Sequence, residues 1–426
     1  MNRHQFGAAC AAGIVSAALA IAGAAEAPRV YAIAGARVVT AAGPVLETGT
    51  VVLRDGLVEA VGASAAVPPD AVTIDGKGLT VYPGLIDMGT AAGLEVPAAA
   101  APREAPTRME IERARRHALL RAGLDAATAL KPDAPELERF AAAGITSVLA
   151  TPPGDGIRGR SALVSVAAGD DPPQIGQVAN ERGAMFVVRA PVALHVSFPP
   201  REGGDAYPAS LMGSIAFVRQ AFLDAGAQGG PYDPGLEALK PALAGSMPVA
   251  FDAGNAVEIR RALALARELR LKPIVVGGAG ADQVTDDLKA ANAAVIYSLD
   301  YPVRPRNLAP DADEPIRVLR ERANAPKVPA ALHRAGVPFG FASRGLRDPA
   351  DFVRNAGKAV RSGLPADAAV RALTIDAAKL AGAGDALGSI EKGKRANLVV
   401  TEGDLFDEKM TVRHVFVDGR LLAAWK

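Results

Sequence analysis

The stretch Pro83-Gly84-Leu85-Ile86-Asp87-Met88-Gly89-Thr90-Ala91 is the segment from which the fold of this chain can be argued. A Pro-Gly pair breaks the preceding structure, and the apolar run that follows it, Leu85 to Asp87, is typical of a short buried strand. The run ends in one carboxylate, Asp87. Two small residues, Gly89 and Ala91, stand at the second and fourth positions after it.

The middle of the chain alternates strand-like runs with segments of helical period. We expect strands at Leu85 to Asp87, Ile145 to Ala150, Met185 to Val188, Val249 to Asp252, Ile274 to Val276, Val295 to Ser298 and Val337 to Phe341. This alternation predicts βαβ units and a parallel sheet. Periodicity alone permits either a closed (β/α)8 barrel or an open doubly wound sheet.

The clearest helix is predicted to begin at Asn255. Asn255 is a good N-cap, and Glu258 follows it at the capping-box position. The apolar residues of this segment recur at helical spacing, and they are Ile259, Ala262, Leu263, Ala266 and Leu269. A second segment places Ser210 before an apolar helix face, where a cap is a better interpretation than a nucleophile.

Both ends of the chain are rich in β-type runs. The N-terminal runs are Val30 to Ala34, Arg37 to Thr40, Thr50 to Arg54, Leu57 to Val61 and Leu79 to Tyr82. The C-terminal runs are Asn397 to Val400, Val412 to Val417 and Arg420 to Leu422. We therefore expect one small β-sandwich built from both terminal segments.

Composition limits the classes of partner. Lys and Arg total 47 and Asp and Glu total 46, so the net charge attracts neither nucleic acid nor anionic lipid. A small molecule or another protein is the expected partner. Residues 1–27 are predicted to be a signal peptide, which indicates a periplasmic or secreted protein with no membrane span after cleavage. Cys10, the one cysteine, lies inside this segment.

Two C-terminal runs carry a family resemblance. They are Leu373-Thr374-Ile375-Asp376-Ala377-Ala378-Lys379-Leu380 and Leu387-Gly388-Ser389-Ile390-Glu391-Lys392-Gly393-Lys394-Arg395-Ala396-Asn397-Leu398-Val399-Val400. Together with the Pro83 segment, they resemble the amidohydrolase superfamily, especially its imidazolonepropionase-like and dipeptidase-like members. The resemblance implies a (β/α)8 barrel at 83–384, flanked by the sandwich parts 28–82 and 385–426. It also implies metal-assisted hydrolysis of amide or cyclic amide carbon-nitrogen bonds, with zinc or another divalent metal at the strand ends.

The metal-ligand positions of that family carry other residues in this chain. Gly89 and Ala91 stand where the first-strand box would have His-x-His. Asp252 stands in the fifth-strand histidine position, and Gly277-Gly278 follows the next strand. Arg344 follows Ala342-Ser343 where the catalytic aspartate would be, and the bridging lysine has no counterpart at a strand end. We therefore expect no metal cofactor, and we assign no catalytic residue.

The candidate ligand-binding residues are those predicted to lie at strand ends or in crowning loops: Asp87, Asp252, Asp300, Arg158, Arg160, Arg344 and His195. His195 is the one histidine expected near a strand end, whereas His117, His333 and His414 are expected to be surface or packing residues. In the favoured interpretation the charged residues pair with one another, with Arg344 against Asp252 or Asp300.

Two other interpretations stay open. The Gly-spaced segment from Gly154 to Ser161 could bring arginines onto a carboxylate or phosphate. Asp87, Asp252 and Asp300 could form an oxygen-only Ca²⁺ or Mg²⁺ site.

Three function classes follow from these observations. The favoured one is an exported pseudoenzyme of amidohydrolase fold that binds a ligand or a partner. The alternatives are an active amidohydrolase with an atypical, metal-poor or oxygen-ligand site, and a subunit that pairs with another amidohydrolase chain or with a second copy of itself. The insertion at 97–135 is predicted to be helical, as a lid or a contact surface.

Overall fold

A computed structural model describes most of the chain. The described residues are 30–97, 107–131, 134–169, 177–180, 183–198, 207–227, 232–309 and 311–422. The predicted signal peptide lies outside these ranges, as does part of the 97–135 insertion. The described part of the insertion contains helix, as predicted. Among the described residues, no helix combines the length and the apolar character needed to cross a bilayer.

The strands are numbered in chain order. They are β1 (Val30–Val38), β2 (Leu46–Arg54), β3 (Leu57–Gly62), β4 (Val72–Asp75), β5 (Leu79–Pro83), β6 (Leu85–Thr90), β7 (Ile145–Ala150), β8 (Ile157–Arg160), β9 (Ala162–Gly169), β10 (Gln177–Asn180), β11 (Gly183–Arg189), β12 (Leu194–Val196), β13 (Val249–Ala253), β14 (Pro273–Gly277), β15 (Ala294–Ser298), β16 (Phe339–Ala342), β17 (Leu398–Glu402), β18 (Thr411–Val417) and β19 (Arg420–Leu422).

The α-helices lie mostly between the strands of the middle segment. They are α1 (Arg108–Leu119), α2 (Ala126–Ala129), α3 (Pro135–Ala142), α4 (Leu211–Gly226), α5 (Pro234–Glu237), α6 (Lys240–Leu243), α7 (Ala256–Glu268), α8 (Thr285–Ala290), α9 (Ile316–Asn324), α10 (Val328–Ala335), α11 (Ala350–Arg361), α12 (Ala366–Leu373) and α13 (Ile375–Leu380). Two short 3₁₀ segments, Ala281–Gln283 and Ala325–Lys327, precede α8 and α10.

Strands from both termini form one sheet. Its order is β19-β18-β17-β5-β1-β2-β3, with β4 also paired to β1. The join is the antiparallel pairing of β17 with β5, from Leu398 opposite Pro83 to Glu402 opposite Leu79. The two termini therefore share a β unit as predicted, but the described strands form one continuous sheet and the two-layer sandwich is not confirmed.

The first N-terminal strand differs from its prediction. The runs expected at Val30 to Ala34 and at Arg37 to Thr40 are a single strand, β1. Its register against β2 shifts twice, between Ile33 and Ala36 and between Ala36 and Val38. A bulge bends a strand without ending it, which explains why the sequence reads as two runs.

The middle segment forms two mixed sheets, and no closed ring of paired strands is seen among the described residues. One sheet has the order β10-β11-β9-β7-β6, and the other has the order β16-β15-β14-β13-β12-β8. The pairings from β12 through β16 are all parallel, as predicted. The expected closed (β/α)8 barrel is not confirmed in the described residues, where β8 is antiparallel to β12 and β9 is antiparallel to β7.

The short connection after β7 accounts for this difference. Parallel neighbours need a crossover of about a dozen residues or more, usually a helix, whereas only β8 and short connections separate the end of β7 at Ala150 from its partner β9, which begins at Ala162. Gly156 in this connection has φ +69°, and an added Cβ would lie 2.5 Å from the carbonyl oxygen of Leu119. The chain therefore doubles back without a crossover helix, and β9 pairs with β7 in the antiparallel direction.

Local caps fix the helices that flank the strands. Helix α7 begins after Asn255, whose side chain accepts hydrogen bonds from the main chain while Glu258 bonds back to the cap, so the predicted capping box is confirmed. Ser210 caps α4 by accepting a hydrogen bond from the Gly213 N–H at 3.1 Å, as predicted. Of the predicted apolar face of α7, Ile259 and Leu263 are buried, and each stabilises the fold by roughly 1.5–3 kcal/mol.

A distinct apolar cluster lies between the strands of the two middle sheets. It includes Ile86, Met88, Leu149, Leu163, Ala250, Val276, Ile296 and Ala342, together with Ala377 and Ala378 of α13. The C-terminal run from Leu373 to Leu380, which carries part of the family resemblance, therefore packs directly into this apolar cluster.

Two glycines of the second C-terminal run, from Leu387 to Val400, allow a test of how this segment packs. Gly388 and Gly393 both have φ +88°, but a Cβ at Gly388 would lie 2.7 Å from the Ile375 Cα, whereas a Cβ at Gly393 meets nothing within 4 Å. Gly393→Ala should cost about 1–2 kcal/mol for the left-handed backbone alone. Gly388→Ala should cost a further 1–3 kcal/mol or so through overpacking against α13. Urea unfolding of both variants measures the difference, and equal losses would contradict the proposed contact.

Candidate functional site

Three charged residues converge where strands of the six-stranded sheet end. Asp252 lies near the end of β13, Arg158 lies on β8, and Arg344 follows β16. One carboxylate oxygen of Asp252 accepts a hydrogen bond from Arg158 Nη2 at 2.9 Å, and the other accepts one from Arg344 Nη2 at 2.5 Å. We call these three residues the Arg-Asp-Arg cluster. Both oxygens of its one carboxylate are engaged by guanidinium groups.

The three side chains of the cluster differ in their exposure to solvent. The side chain of Arg158 is 8% exposed, that of Asp252 is 18% exposed, and that of Arg344 is 37% exposed. Burial lowers the pKa of Arg158, and the Asp252 carboxylate opposes that shift. A guanidinium stays charged in proteins, so Arg158 brings a buried positive charge to the strand ends. Arg344 covers this charge from the solvent side.

Backbone geometry holds the two arginines in place. Arg158 lies where the register of β8 against β12 shifts, between the partners of His195 and Val196. Arg344 has φ +40°, an uncommon backbone conformation for a residue with a side chain, and its N–H donates to the Gly89 carbonyl oxygen at 3.1 Å. Strain of this kind persists where surrounding contacts enforce it, here the Gly89 bond and the Asp252 ion pair.

His195 lies beside the cluster. It is 1% exposed, and its strand neighbours are Gly159 on β8 and Ala250 on β13. Neither ring nitrogen has a hydrogen-bond partner in the described part of the chain. Burial, with smaller contributions from Arg158 and Arg344, holds the pKa of His195 well below its ordinary value of 6.5. The imidazole is therefore neutral, with one nitrogen able to donate and the other able to accept.

Asp87 joins the two middle sheets and does not enter the cluster. Its carboxylate accepts from the Ser343 N–H at 2.8 Å, the Ser343 hydroxyl at 2.5 Å and the Gly89 N–H at 3.1 Å. Full burial raises its pKa to about 6, and the bonds from Ser343 and Gly89 oppose that shift. Because Ser343 precedes Arg344, Asp87 also positions the strand end from which the solvent-side arginine extends.

The remaining candidates lie outside the cluster. Arg160 pairs with Asp125 at 3.2 Å, where Asp125 also caps α2. Asp300 is exposed, and its carboxylate packs against Gly345, where an added Cβ would lie 2.1 Å from Asp300 Oδ2. Arg344 is thus paired with Asp252 and not with Asp300. The structure brings together Arg158, Asp252, Arg344 and His195 of the predicted set.

The other histidines lie on the elements predicted for them. His117 is exposed on α1, His333 is exposed on α10, and His414 is half-buried on β18. Two polar partners in this region were not predicted, Asp125 for Arg160 and Ser343 for Asp87. Asp125 could have been found as the N-cap of a short helical run, since Asp is a preferred capping residue.

The donor set does not fit a divalent metal. Among the described residues, no three His, Cys, Asp or Glu side chains lie together in a group that could hold one. Gly89 is buried, and a Cβ added to it would lie 3.3 Å from the Ala342 Cβ; a Cβ at Gly278 would lie 2.8 Å from Val295 Cγ1. The oxygen-only set of Asp87, Asp252 and Asp300 is not brought together either, because Asp87 and Asp252 have separate partners.

One family pattern and several solved structures are similar to this chain. The sequence pattern of the amidohydrolase family matches residues 254–422. No protein of curated function matches the sequence significantly. A solved amidohydrolase from Thermotoga maritima MSB8 is similar over 93% of this chain and 100% of its own, with 22% identity and a TM-score of 0.72.

Two further solved structures have a similar fold. A prolidase complexed with N-methylphosphonate-L-proline covers 93% of this chain and 100% of its own, with 18% identity and a TM-score of 0.55. A Xaa-Pro dipeptidase with bound methionine in its active site covers 92% of this chain and 99% of its own, with 17% identity and a TM-score of 0.54. These similarities show a TIM-barrel-like α/β fold. The family pattern over residues 254–422 agrees with the resemblance seen in the sequence.

The buried carboxylate of Asp87 predicts a pH dependence of stability. Its folded pKa of about 6 lies above the ordinary value of 3.8, so the folded state binds the proton more tightly than the unfolded state. The free energy of unfolding should therefore fall by about 3 kcal/mol as the pH rises from about 4 to above 6. Asp87→Asn should remove this dependence, because an amide can keep the bonds to Ser343 and Gly89.

Urea unfolding of the full chain at about pH 4 and about pH 7 checks this prediction. Asp300→Asn is the matched control, since it removes an exposed carboxylate and should leave the slope unchanged. A slope that survives in Asp87→Asn would show that another group carries it.

Proposed function

We propose that this protein is an exported, non-hydrolytic member of the amidohydrolase superfamily that acts by binding a ligand or a partner. In this proposal the Arg-Asp-Arg cluster joins the strand ends where metal-dependent relatives hold their ion. The observation that carries the proposal is that Asp252, the carboxylate on β13, has both oxygens engaged by arginines.

Electrostatics support the loss of the metal. A divalent cation about 5 Å from a guanidinium is repelled by roughly 7 kcal/mol at an effective dielectric constant of about 20, and two guanidiniums face this position. Asp252 would have to release at least one arginine to bind the ion. Arg158 is 8% exposed, so its release would leave a buried charge without its partner.

The same residues give no support to hydrolysis. A general base must accept a proton, and Arg344, which follows β16, carries only donors. Asp87 is fully buried, and its oxygens already accept bonds from Ser343 and Gly89. His195 is neutral but enclosed at 1% exposure. No group in the cluster is therefore placed to activate a water molecule for attack on a carbon-nitrogen bond.

The export part of the proposal rests on the sequence of residues 1–27. A short polar start, an apolar Ala-rich stretch and the small residues around Ala22 to Ala27 fit a signal peptide. A balanced charge supports a small-molecule or protein partner over nucleic acid. A second copy also fits as that partner, because most soluble oligomers are symmetric assemblies of one chain. Another amidohydrolase chain is the alternative partner.

Metal analysis of the full chain tests the proposal. Protein purified without chelator and supplied with zinc, manganese or cobalt should contain no stoichiometric metal by elemental analysis. Its melting temperature should not change with chelator, because a metal that binds only the folded state would stabilise it. The chain should also fail to hydrolyse dipeptides, N-acyl amino acids and cyclic amides.

Matched variants separate a specific metal from a contaminant. Asp252→Asn removes the carboxylate of the cluster, and Asp300→Asn removes a nearby exposed carboxylate. Stoichiometric metal that is lost in Asp252→Asn but retained in Asp300→Asn, accompanied by turnover of an amide, would overturn the proposal.

A further inference from the structure

Unsatisfied hydrogen-bonding groups collect beside the Arg-Asp-Arg cluster. Both ring nitrogens of His195 and the Nε of Arg158 are buried without a hydrogen-bond partner in the described part of the chain. Leaving such a group unpaired costs roughly 1–3 kcal/mol, so native structures rarely leave several together. Two donors and one acceptor in one place indicate a bound molecule with complementary groups.

The charge of the cluster indicates the sign of the charge on that bound molecule. Arg158 and Arg344 share one carboxylate, which leaves one positive charge without a direct ion-pair partner in the described part of the chain. Asp155 also attracts Arg158, but its carboxylate accepts from the Ser197 hydroxyl at 3.4 Å and forms no ion pair with the arginine. A single negative charge therefore matches the cluster, and a doubly charged phosphate would bring excess charge into a buried place.

We infer that this place binds a small 2-hydroxycarboxylate. The carboxylate accepts hydrogen bonds from Arg158 Nε and from the Arg344 guanidinium, and the neutral His195 ring donates to it from one nitrogen. The other ring nitrogen accepts the proton of the ligand hydroxyl, which a plain carboxylate does not offer. The inference rests on the proposed function, because a metal at Asp252 would occupy the same position.

The exposure of the arginines indicates how the ligand enters. Arg158 and His195 are enclosed, whereas Arg344 is 37% exposed and lies on the solvent side. A long arginine side chain can change rotamer while its backbone stays held by the Gly89 carbonyl. Asp252 keeps Arg158 as a partner during this movement, so the buried charge is never left alone.

Isothermal titration of the full chain with L-lactate, propionate and inorganic phosphate tests the inference. Lactate should bind at one site per chain, at least about tenfold more tightly than propionate, and phosphate should bind more weakly than lactate. Equal affinity for lactate and propionate, stronger binding of phosphate, or no heat with lactate would overturn it. In the last case ordered water is the partner of the imidazole.

One variant and a matched control assign the site. Arg344→Met should weaken lactate binding about tenfold or more, because a charge-assisted hydrogen bond is lost. Arg347→Met removes the same charge from the same loop, where the exposed Arg347 makes no ion pair with Asp252, and should leave the affinity unchanged. Equal losses in both variants would show a general charge effect and would contradict the site.

A second measurement detects binding in the unaltered protein and uses a variant only to assign the signal. In protein labelled with ¹⁵N-histidine, lactate should shift the ring nitrogen signals of one of the five histidines, identified as His195 by its loss in His195→Leu. Unchanged His195 signals at saturating lactate would overturn the inference. Metal found at Asp252 would remove the proposed function as well, whereas a metal-free chain that does not bind lactate removes only this inference.

Discussion

A buried guanidinium must have a partner, and much of the candidate site follows from how this chain supplies one to Arg158. Removing a charged side chain from water costs several kcal/mol unless an opposite charge and hydrogen bonds replace the solvent. Asp252 provides that charge at 2.9 Å. Arg344 then takes the second carboxylate oxygen, so that a single aspartate joins β8, β13 and the segment after β16.

The cluster is linked to the seam between the two middle sheets. Asp87 on β6 accepts two bonds from Ser343, and the next residue, Arg344, donates its N–H to Gly89 on β6. The strand end that carries Arg344 is therefore held by main-chain and side-chain bonds before its guanidinium reaches Asp252. Gly89 suits this arrangement because its neighbour Ala342 leaves little room for a side chain. This small residue thus permits close contact between the strands.

Local signals in the sequence predicted much of the fold. The Asn255 capping box and the Ser210 cap each depend on residues close together in the chain, and both are confirmed. The strands from β13 to β16 are parallel, as the alternation of strand and helix predicted. The antiparallel turn after β7 was missed because Gly-rich segments are equally typical of binding loops and tight turns. The β-type runs at both termini predicted a shared β unit, but they could not determine whether its strands form one sheet or two.

The candidate site was predicted less completely, since its partners come from distant parts of the chain. The sequence placed Arg158, Asp252 and Arg344 near strand ends but could not choose between Asp252 and Asp300 for Arg344. Arg160 lies two residues after Arg158 on β8, and its pairing with Asp125 depends on a helix start more than thirty residues upstream. The unsatisfied state of His195 was beyond sequence reasoning, because it depends on the atoms that enclose the ring.

A double-mutant cycle on Arg158 and Asp252 tests most directly whether their ion pair organises the strand ends. Asp252→Leu should reduce the free energy of unfolding by about 3–5 kcal/mol, because it leaves the Arg158 charge buried. Adding Arg158→Met to Asp252→Leu should restore most of that loss, since no buried charge then remains. If the two substitutions instead destabilise the protein additively, the pair is not coupled and the account is wrong.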